Sequence, residues 1–159
     1  MMSKPRAVFA CNVFLQAVAQ PNSQAAACLN LAENKLARLF VSEWTLAELE
    51  QVLKRPKIRT HFVTLTDETV SLFLKRIQET GRIIRSIPRK FVFARDPDDE
   101  PYINLAIAAE ADYIVTRDKD LLDLMTGHND ECKEFRQRFR PLKIVGPGEF
   151  LHALLPTEM

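Results

Sequence analysis

Residues 95–120 read RDPDDEPYINLAIAAEADYIVTRDKD, which is two acidic clusters separated by an apolar helix and a short apolar strand. The apolar spacing predicts the helix over residues 102–109, and the run at 113–115 predicts a buried strand. If that strand belongs to a parallel sheet, Asp118 lies just past its carboxyl end, and the helix that follows the first cluster could begin beside it. Converging carboxylates repel one another, and they usually hold a divalent cation.

The rest of the chain also alternates short apolar strands with helices. We predict strands at 7–10, 39–41 and 142–145, a short extended segment at 83–87, and helices at 13–19, 25–34, 43–54, 68–80, 118–125, 132–139 and 147–155. This alternation indicates an α/β domain whose parallel sheet is covered by helices on both faces. Such domains bind ligands beyond the carboxyl ends of their strands, where residues 10–12, Ser42 and residues 116–120 fall.

Composition limits the classes of protein to which this chain can belong. Its 159 residues, 47% of them hydrophobic, are enough for one domain with a sizeable core, which we place at 1–159. A net charge of +1 argues against a strongly basic nucleic-acid coat protein. Three widely spaced cysteines without a C-x-x-C pair favour a reduced, cytoplasmic protein. The chain lacks the run of about 18 apolar residues that predicts a membrane span, and it shows no signal peptide.

Each acidic cluster on its own has an ordinary structural explanation. Asp98, Asp99 and Glu100 are typical of a helix start, since carboxylates are favourable at a helix N-terminus. Asp118 and Asp120 have the same explanation, with Asp118 as the N-cap. A calcium-binding EF-hand loop is excluded, because the required Gly and the distant Glu are missing.

Three polar residues elsewhere in the chain favour a shared site over separate helix caps, because of where they lie together. Glu48 lies at the edge of the apolar face of the helix after the second strand, Asn12 follows the first strand, and Thr116 follows the third. Asn12 and Thr116 could orient a carboxylate or simply bond to local backbone. The three histidines are scattered along the chain, so a Ser-His-Asp arrangement has no support. Cys11 has apolar neighbours and fits packing better than nucleophilic catalysis.

Four blocks, taken in order, resemble those of PIN-domain nucleases. They are VFACNV at 8–13, SEWTLAEL at 42–49, DPDDEPYINLA at 96–106 and ADYIVTRDKDL at 111–121. The last block is the most specific, and the resemblance covers about residues 6–152. It is closest to the VapC-like branch, the toxins of toxin–antitoxin systems.

The resemblance implies a three-layer α/β/α sandwich with a central parallel sheet and hydrolysis of RNA that depends on Mg²⁺ or Mn²⁺. Carried over by position, the catalytic residues would be Glu48, Glu100, Asp118, Asn12 and Thr116. The metal ligands would be Glu100 and Asp118, with Asp99 and Asp120 in support. Spacing places the acid of the third block at Glu100, and Asp99 is the alternative.

The chain departs from the family pattern at Ala10, where the family has the Asp of the first strand. Two explanations are open, a natural loss and an engineered Asp→Ala change, and the intact remainder of the site favours the second. Either way we expect an impaired enzyme.

The alternative function is a catalytically silent PIN-like module that binds RNA or protein. A phospho-acceptor receiver domain ranks low, because the paired acids after the first strand and the Lys after the last are missing.

Partners follow from the same resemblance. An RNA substrate with an accessible single strand would be held through its phosphates, with salt-dependent affinity, by Arg117, Arg95, Lys54 and Arg55. The family branch implies a homodimer and an inhibitory antitoxin protein, and no membrane association is expected.

Overall fold

The structure is a computed structural model that describes residues 4–155, so both ends of the predicted 1–159 domain lie outside the described residues. Its centre is a five-stranded parallel sheet in the order β3-β2-β1-β4-β5. The strands are β1 Arg6–Phe9, β2 Arg38–Val41, β3 Arg82–Ile83, β4 Tyr113–Val115 and β5 Lys143–Val145. All four predicted strands are confirmed, whereas the extended segment predicted at 83–87 overlaps β3 only at residue 83.

Nine α-helices surround this sheet within residues 4–155. They are α1 Cys11–Ala19, α2 Gln24–Glu33, α3 Glu43–Lys54, α4 Pro56–His61, α5 Asp67–Thr80, α6 Glu100–Ala108, α7 Lys119–Leu122, α8 Asp130–Arg138 and α9 Pro147–Leu154. The helix predicted at 118–125 is α7 followed by a 3-10 turn, Asp123–Met125. Helix α4 was not predicted. Pro56 ends α3 as expected but also occupies the first position of α4, where its fixed φ and missing N–H are tolerated.

Each face of the sheet has its own buried core. Ala7 and Phe9 of β1 pack on the side of α1, α2, α3, α5 and α9, and Val8, between them, packs on the side of α6, α7 and α8. Successive strand residues point to opposite faces, so a strand that is buried on both sides is apolar throughout. The predicted three-layer α/β/α sandwich is therefore confirmed. No helix within residues 4–155 is long and apolar enough to cross a membrane.

The order in which strands are added to the sheet reverses at β1: β2 and β3 lie on one side of it, and β4 and β5 lie on the other. Strand β1 pairs with β2 on one side and with β4 on the other, where Val8 lies beside Ile114. Parallel α/β sheets bind ligands at such a switch point, outside the carboxyl ends of the strands. In this chain that place is formed by residues 10–12 after β1 and residues 116–118 after β4.

Candidate metal centre

Three carboxylates meet at this switch point. Asp96, Asp99 and Asp118 each offer an oxygen, and the three oxygens lie within 4.8 Å of one another. Among the residues that the structure describes, this is the one such group of three, and we call it the acidic cluster. Asp118 follows β4, whereas Asp96 and Asp99 belong to the turn before α6.

The turn that carries two of these carboxylates is fixed by hydrogen bonds within the turn. The N–H of Asp99 donates to the carbonyl oxygen of Asp96 at 3.1 Å. The N–H of Asp98 donates to the Asp96 side chain at 3.2 Å. This tight turn places Asp96 and Asp99 on the same side, toward Asp118.

Asp99 has the environment of an uncompensated carboxylate. Its Oδ2 atom is buried and has no hydrogen-bond partner among the described residues. Burial, together with the neighbouring Asp118 and Asp96 carboxyls, raises the pKa of Asp99 from 3.8 to about 9. A divalent cation would remove both penalties, and oxygen donors suit Mg²⁺ and Mn²⁺. The residues present therefore fit a hard divalent cation.

Asn12 and Thr116 orient the loop that holds Asp118. Thr116 is fully buried, and its Oγ1 accepts the N–H of Asp118 at 3.0 Å and the side-chain amide of Asn12 at 3.4 Å. The Oδ1 atom of Asn12 accepts the backbone N–H of Arg117 at 3.0 Å. These bonds tie the first turn of α1 to the loop that follows β4.

Glu48 lies beside the acidic cluster without joining it. The hydroxyl of Tyr102 donates to a Glu48 oxygen. Burial raises the pKa of Glu48, and the carboxylates of Asp98 and Asp96 raise it further. A partly buried carboxyl next to an acidic turn is suited to proton transfer.

Glu100 and Asp120, both expected as ligands, are instead paired with arginines. Glu100 accepts two bonds from Arg89, at 2.6 and 2.9 Å, and another from the N–H of Phe93. Arg89 lowers the pKa of Glu100. Asp120 lies 2.7 Å from Arg95. The structure thus does not bring these two carboxylates into the acidic cluster.

Sequence reasoning gave no ligand role to Asp96 and preferred Glu100 to Asp99. Glu100 is the first residue of α6, and a helix turns by about 100° per residue, so neighbouring side chains diverge. The signal that could have found Asp96 is the spacing Asp96-x-x-Asp99, which a turn can bring to one side.

Position 10 directly follows β1, at the switch point of the sheet. Ala10 is buried, and its N–H donates to the carbonyl of Val115 at 2.9 Å. Its side chain packs on the α6 face of the sheet, the face on which Tyr102 also lies. A methyl group there offers no ligand atom.

The cations proposed for RNA contact have different surroundings. Arg117 and Arg55 are exposed, at the loop after β4 and at the end of α3 respectively. Lys54 pairs with Glu50 on the surface of α3, and Arg95 pairs with Asp120 and Asp123.

Cys11 follows position 10 at the start of α1. Burial, with a contribution from Glu48, raises the pKa of the Cys11 thiol to about 12. The thiol therefore stays protonated at neutral pH, and a nucleophilic role is unsupported.

Fold and site together define an α/β protein with an acidic, metal-type site at the switch point of a parallel sheet. Residues 6–120 match the family model of the PIN domain, and the chain belongs to that family. PIN domains are generally nucleases and typically use divalent metals. The chain is also 30% identical, over 93% of its length and 90% of the relative's, to an uncharacterized protein of Methanocaldococcus jannaschii. No solved structure matches significantly.

Proposed function

We propose that this chain is a metal-dependent endoribonuclease whose metal centre is impaired by Ala10. The observation that carries the proposal is the convergence of Asp96, Asp99 and Asp118, with one buried oxygen of Asp99 that has no hydrogen-bond partner within residues 4–155. Membership of a nuclease family supports the reaction class, and RNA is the substrate that this family suggests.

The residues have separable roles in this proposal. Asp96, Asp99 and Asp118 would hold the ion, so Asp99 takes the place first given to Glu100. The chemistry that a bound Mg²⁺ or Mn²⁺ ion supplies is a lowered pKa of water and a polarised phosphate. Asn12 and Thr116 keep the Asp118 loop in position.

Glu48 is the residue best placed to take up a proton from the attacking water. Its pKa is raised by burial, and Tyr102 fixes the direction of its carboxyl group. Arg117 and Arg55, exposed at the rim, would bind phosphates on either side of the cleaved bond.

The toxin assignment is also a proposal. It is supported by the resemblance of about residues 6–152 to the VapC-like branch, and it carries with it an antitoxin partner, a homodimer and a cytoplasmic location. A short reading frame for a DNA-binding antitoxin beside the gene would support it, and an isolated gene would count against it.

The test of the function is RNA cleavage in Mn²⁺ by this chain and by Ala10→Asp. Restoring a metal ligand should raise the rate by at least ~100-fold, because even indirect supports of a metal site are worth ~10–100-fold. Ala10→Asn is the matched control, because Asn has the size of Asp without its charge. Its cleavage rate should rise little. Equal, robust cleavage by the original chain and Ala10→Asp would contradict the role of position 10.

The source gene tests the origin of Ala10. We expect an Asp codon at position 10, since the neighbouring acidic residues are intact; any other codon contradicts engineering.

A second candidate function, a silent PIN-like binding module, is favoured by one observation: Ala10 is well packed among apolar side chains. The two functions predict different results for the Ala10→Asp variant. Stabilisation by Mn²⁺ in that variant supports the nuclease, and its absence supports the binding module.

A further inference from the structure

A cavity of about 590 Å³ lies against the first turns of α6, the helix that begins directly after Asp99. It is formed between the start of α3, the segment 84–89 that follows β3, and the first turns of α6. Its volume is within the range of about 300–1,000 Å³ that is usual for small-ligand sites. The left-handed backbone at Ser86 (φ 58°) turns the segment so that successive residues all face the cavity.

Trp44, the one tryptophan of the chain, forms part of the cavity wall. Its side chain is 46% exposed, although an indole gains free energy by burial. Tyr102 holds it edge to face, with ring centroids 6.1 Å apart and an interplanar angle of 82°. Trp44 is therefore anchored on one side and open on the other.

The cavity has an aromatic wall, an aliphatic wall and balanced charges. Ile84, Ile87 and Pro88 supply the aliphatic side chains. The charged groups are two ion pairs, Arg85 with Glu43 and Arg89 with Glu100. A phosphate would meet both carboxylates, whereas a flat, uncharged ring would meet an indole and two guanidinium groups on which rings stack well.

Two residues of α6 link the wall of the cavity to the neighbourhood of the acidic cluster. Tyr102 contacts Trp44 with its ring and Glu48 with its hydroxyl. Glu100, which lines the cavity, directly follows Asp99 in the chain. The N-terminal end of α6 therefore adjoins the acidic cluster through Asp99 and the cavity through Glu100.

We propose that this cavity receives one unpaired nucleobase of an RNA strand, stacked on Trp44, with Arg85 and Arg89 at its rim. This inference rests on the proposed ribonuclease function and adds to it a base-binding subsite. Stacking on an aromatic ring tolerates any base, so the subsite selects for unpaired nucleotides more than for sequence.

The test uses the fluorescence of Trp44, which no other tryptophan obscures. The protein is titrated with an eight-nucleotide single-stranded RNA in EDTA, and with the same RNA backbone lacking all of its bases. We expect saturable quenching with the first RNA and little with the second. Equal quenching by both would overturn the stacking.

Variants give an independent readout through the anisotropy of the labelled RNA. Trp44→Ala should weaken binding about 5- to 150-fold, the equivalent of the ~1–3 kcal/mol that stacking of one base is worth. Trp44→Phe should retain most of the affinity. Leu72→Ala is the matched control, because it also truncates an exposed apolar side chain but lies on α5. Circular dichroism and thermal unfolding check that each variant is folded.

Failure of the subsite and failure of the function give different results. If anisotropy shows that the original chain and Trp44→Ala bind the RNA equally well, the base-binding subsite is overturned. That result leaves the proposed nuclease function unaffected. In the Ala10→Asp background, Trp44→Ala should raise KM and leave kcat nearly unchanged. Absence of any cleavage by Ala10→Asp would contradict the function, whatever the fluorescence shows.

Discussion

Asp99 and Glu100 are neighbours in the chain, but their carboxyl groups lie in opposite electrostatic surroundings. Asp99 lies among carboxylates, and one of its oxygens is buried without a hydrogen-bond partner in the described part of the chain. Glu100, in contrast, is held by Arg89 and a backbone N–H. The pKa of Asp99 is raised to about 9, and that of Glu100 is lowered. A carboxylate that already has a cationic partner has its charge compensated. The acidic cluster has no such compensation from the described residues, so it is the region that we propose as the metal site.

The largest expected effect distinguishes the acidic cluster from the arginine-paired carboxylates. In the Ala10→Asp background, Asp99→Asn should lower the rate of RNA cleavage by at least ~100-fold, because it removes a ligand. Asp120→Asn, the matched control, removes a carboxylate that pairs with Arg95 and should change the rate little. The measurement is single-turnover cleavage of a labelled RNA in Mn²⁺. A larger loss of rate in Asp120→Asn than in Asp99→Asn would contradict the acidic cluster as the metal site and would favour Asp120 as a ligand, as the sequence first predicted.

The next effect concerns the loop that holds Asp118. Thr116→Val should lower the free energy of unfolding by about 1–3 kcal/mol, because the Asp118 N–H loses its acceptor. Thr60→Val is the control, since Thr60 is exposed and its change should stay within about 0.5 kcal/mol. Urea denaturation measures both. Equal losses would mean that the buried hydroxyl of Thr116 does not support the site.

Metal binding should appear as stabilisation. In Ala10→Asp, Mn²⁺ at about ten times its Kd should raise the free energy of unfolding by ~1.4 kcal/mol, or roughly 3–5 °C in Tm. Asp99→Asn should lose most of this shift, whereas Asp120→Asn should keep it. Thermal unfolding with and without the ion is the measurement. A shift that survives Asp99→Asn would place the ion elsewhere.

The last prediction is a dependence of stability on pH in EDTA. Asp99 binds its proton in the native state up to about pH 9 but only to about 3.8 when unfolded. Between these values the native state binds more protons, so stability is greatest at the acidic end and falls as pH rises. One such group gives a slope of at most about 1.4 kcal/mol per pH unit, and solvent screening reduces it. Asp99→Asn should flatten the slope seen by urea denaturation; an unchanged slope would contradict the raised pKa.

The fold was predictable because it depends on patterns that are local in sequence. The apolar runs at 39–41 and 113–115 are strands because only a parallel sheet buries both faces of such a run. The predicted bounds failed where a short element depends on its neighbours. Strand β3 is two residues long and exists through its pairing with β2, and α4 begins at a proline that also ends α3.

The sequence by itself determined the layered α/β architecture, the family resemblance and the presence of acidic loops after the strands. Only the tertiary structure decided which carboxylates meet. Charge pairing across the fold assigns Glu100 and Asp120 to arginines, and a turn of a few residues directs Asp96 and Asp99 toward Asp118. Apolar periodicity encodes burial along one segment, whereas the electrostatic partner of a carboxylate is set by side chains from other segments, whose approach no local pattern specifies.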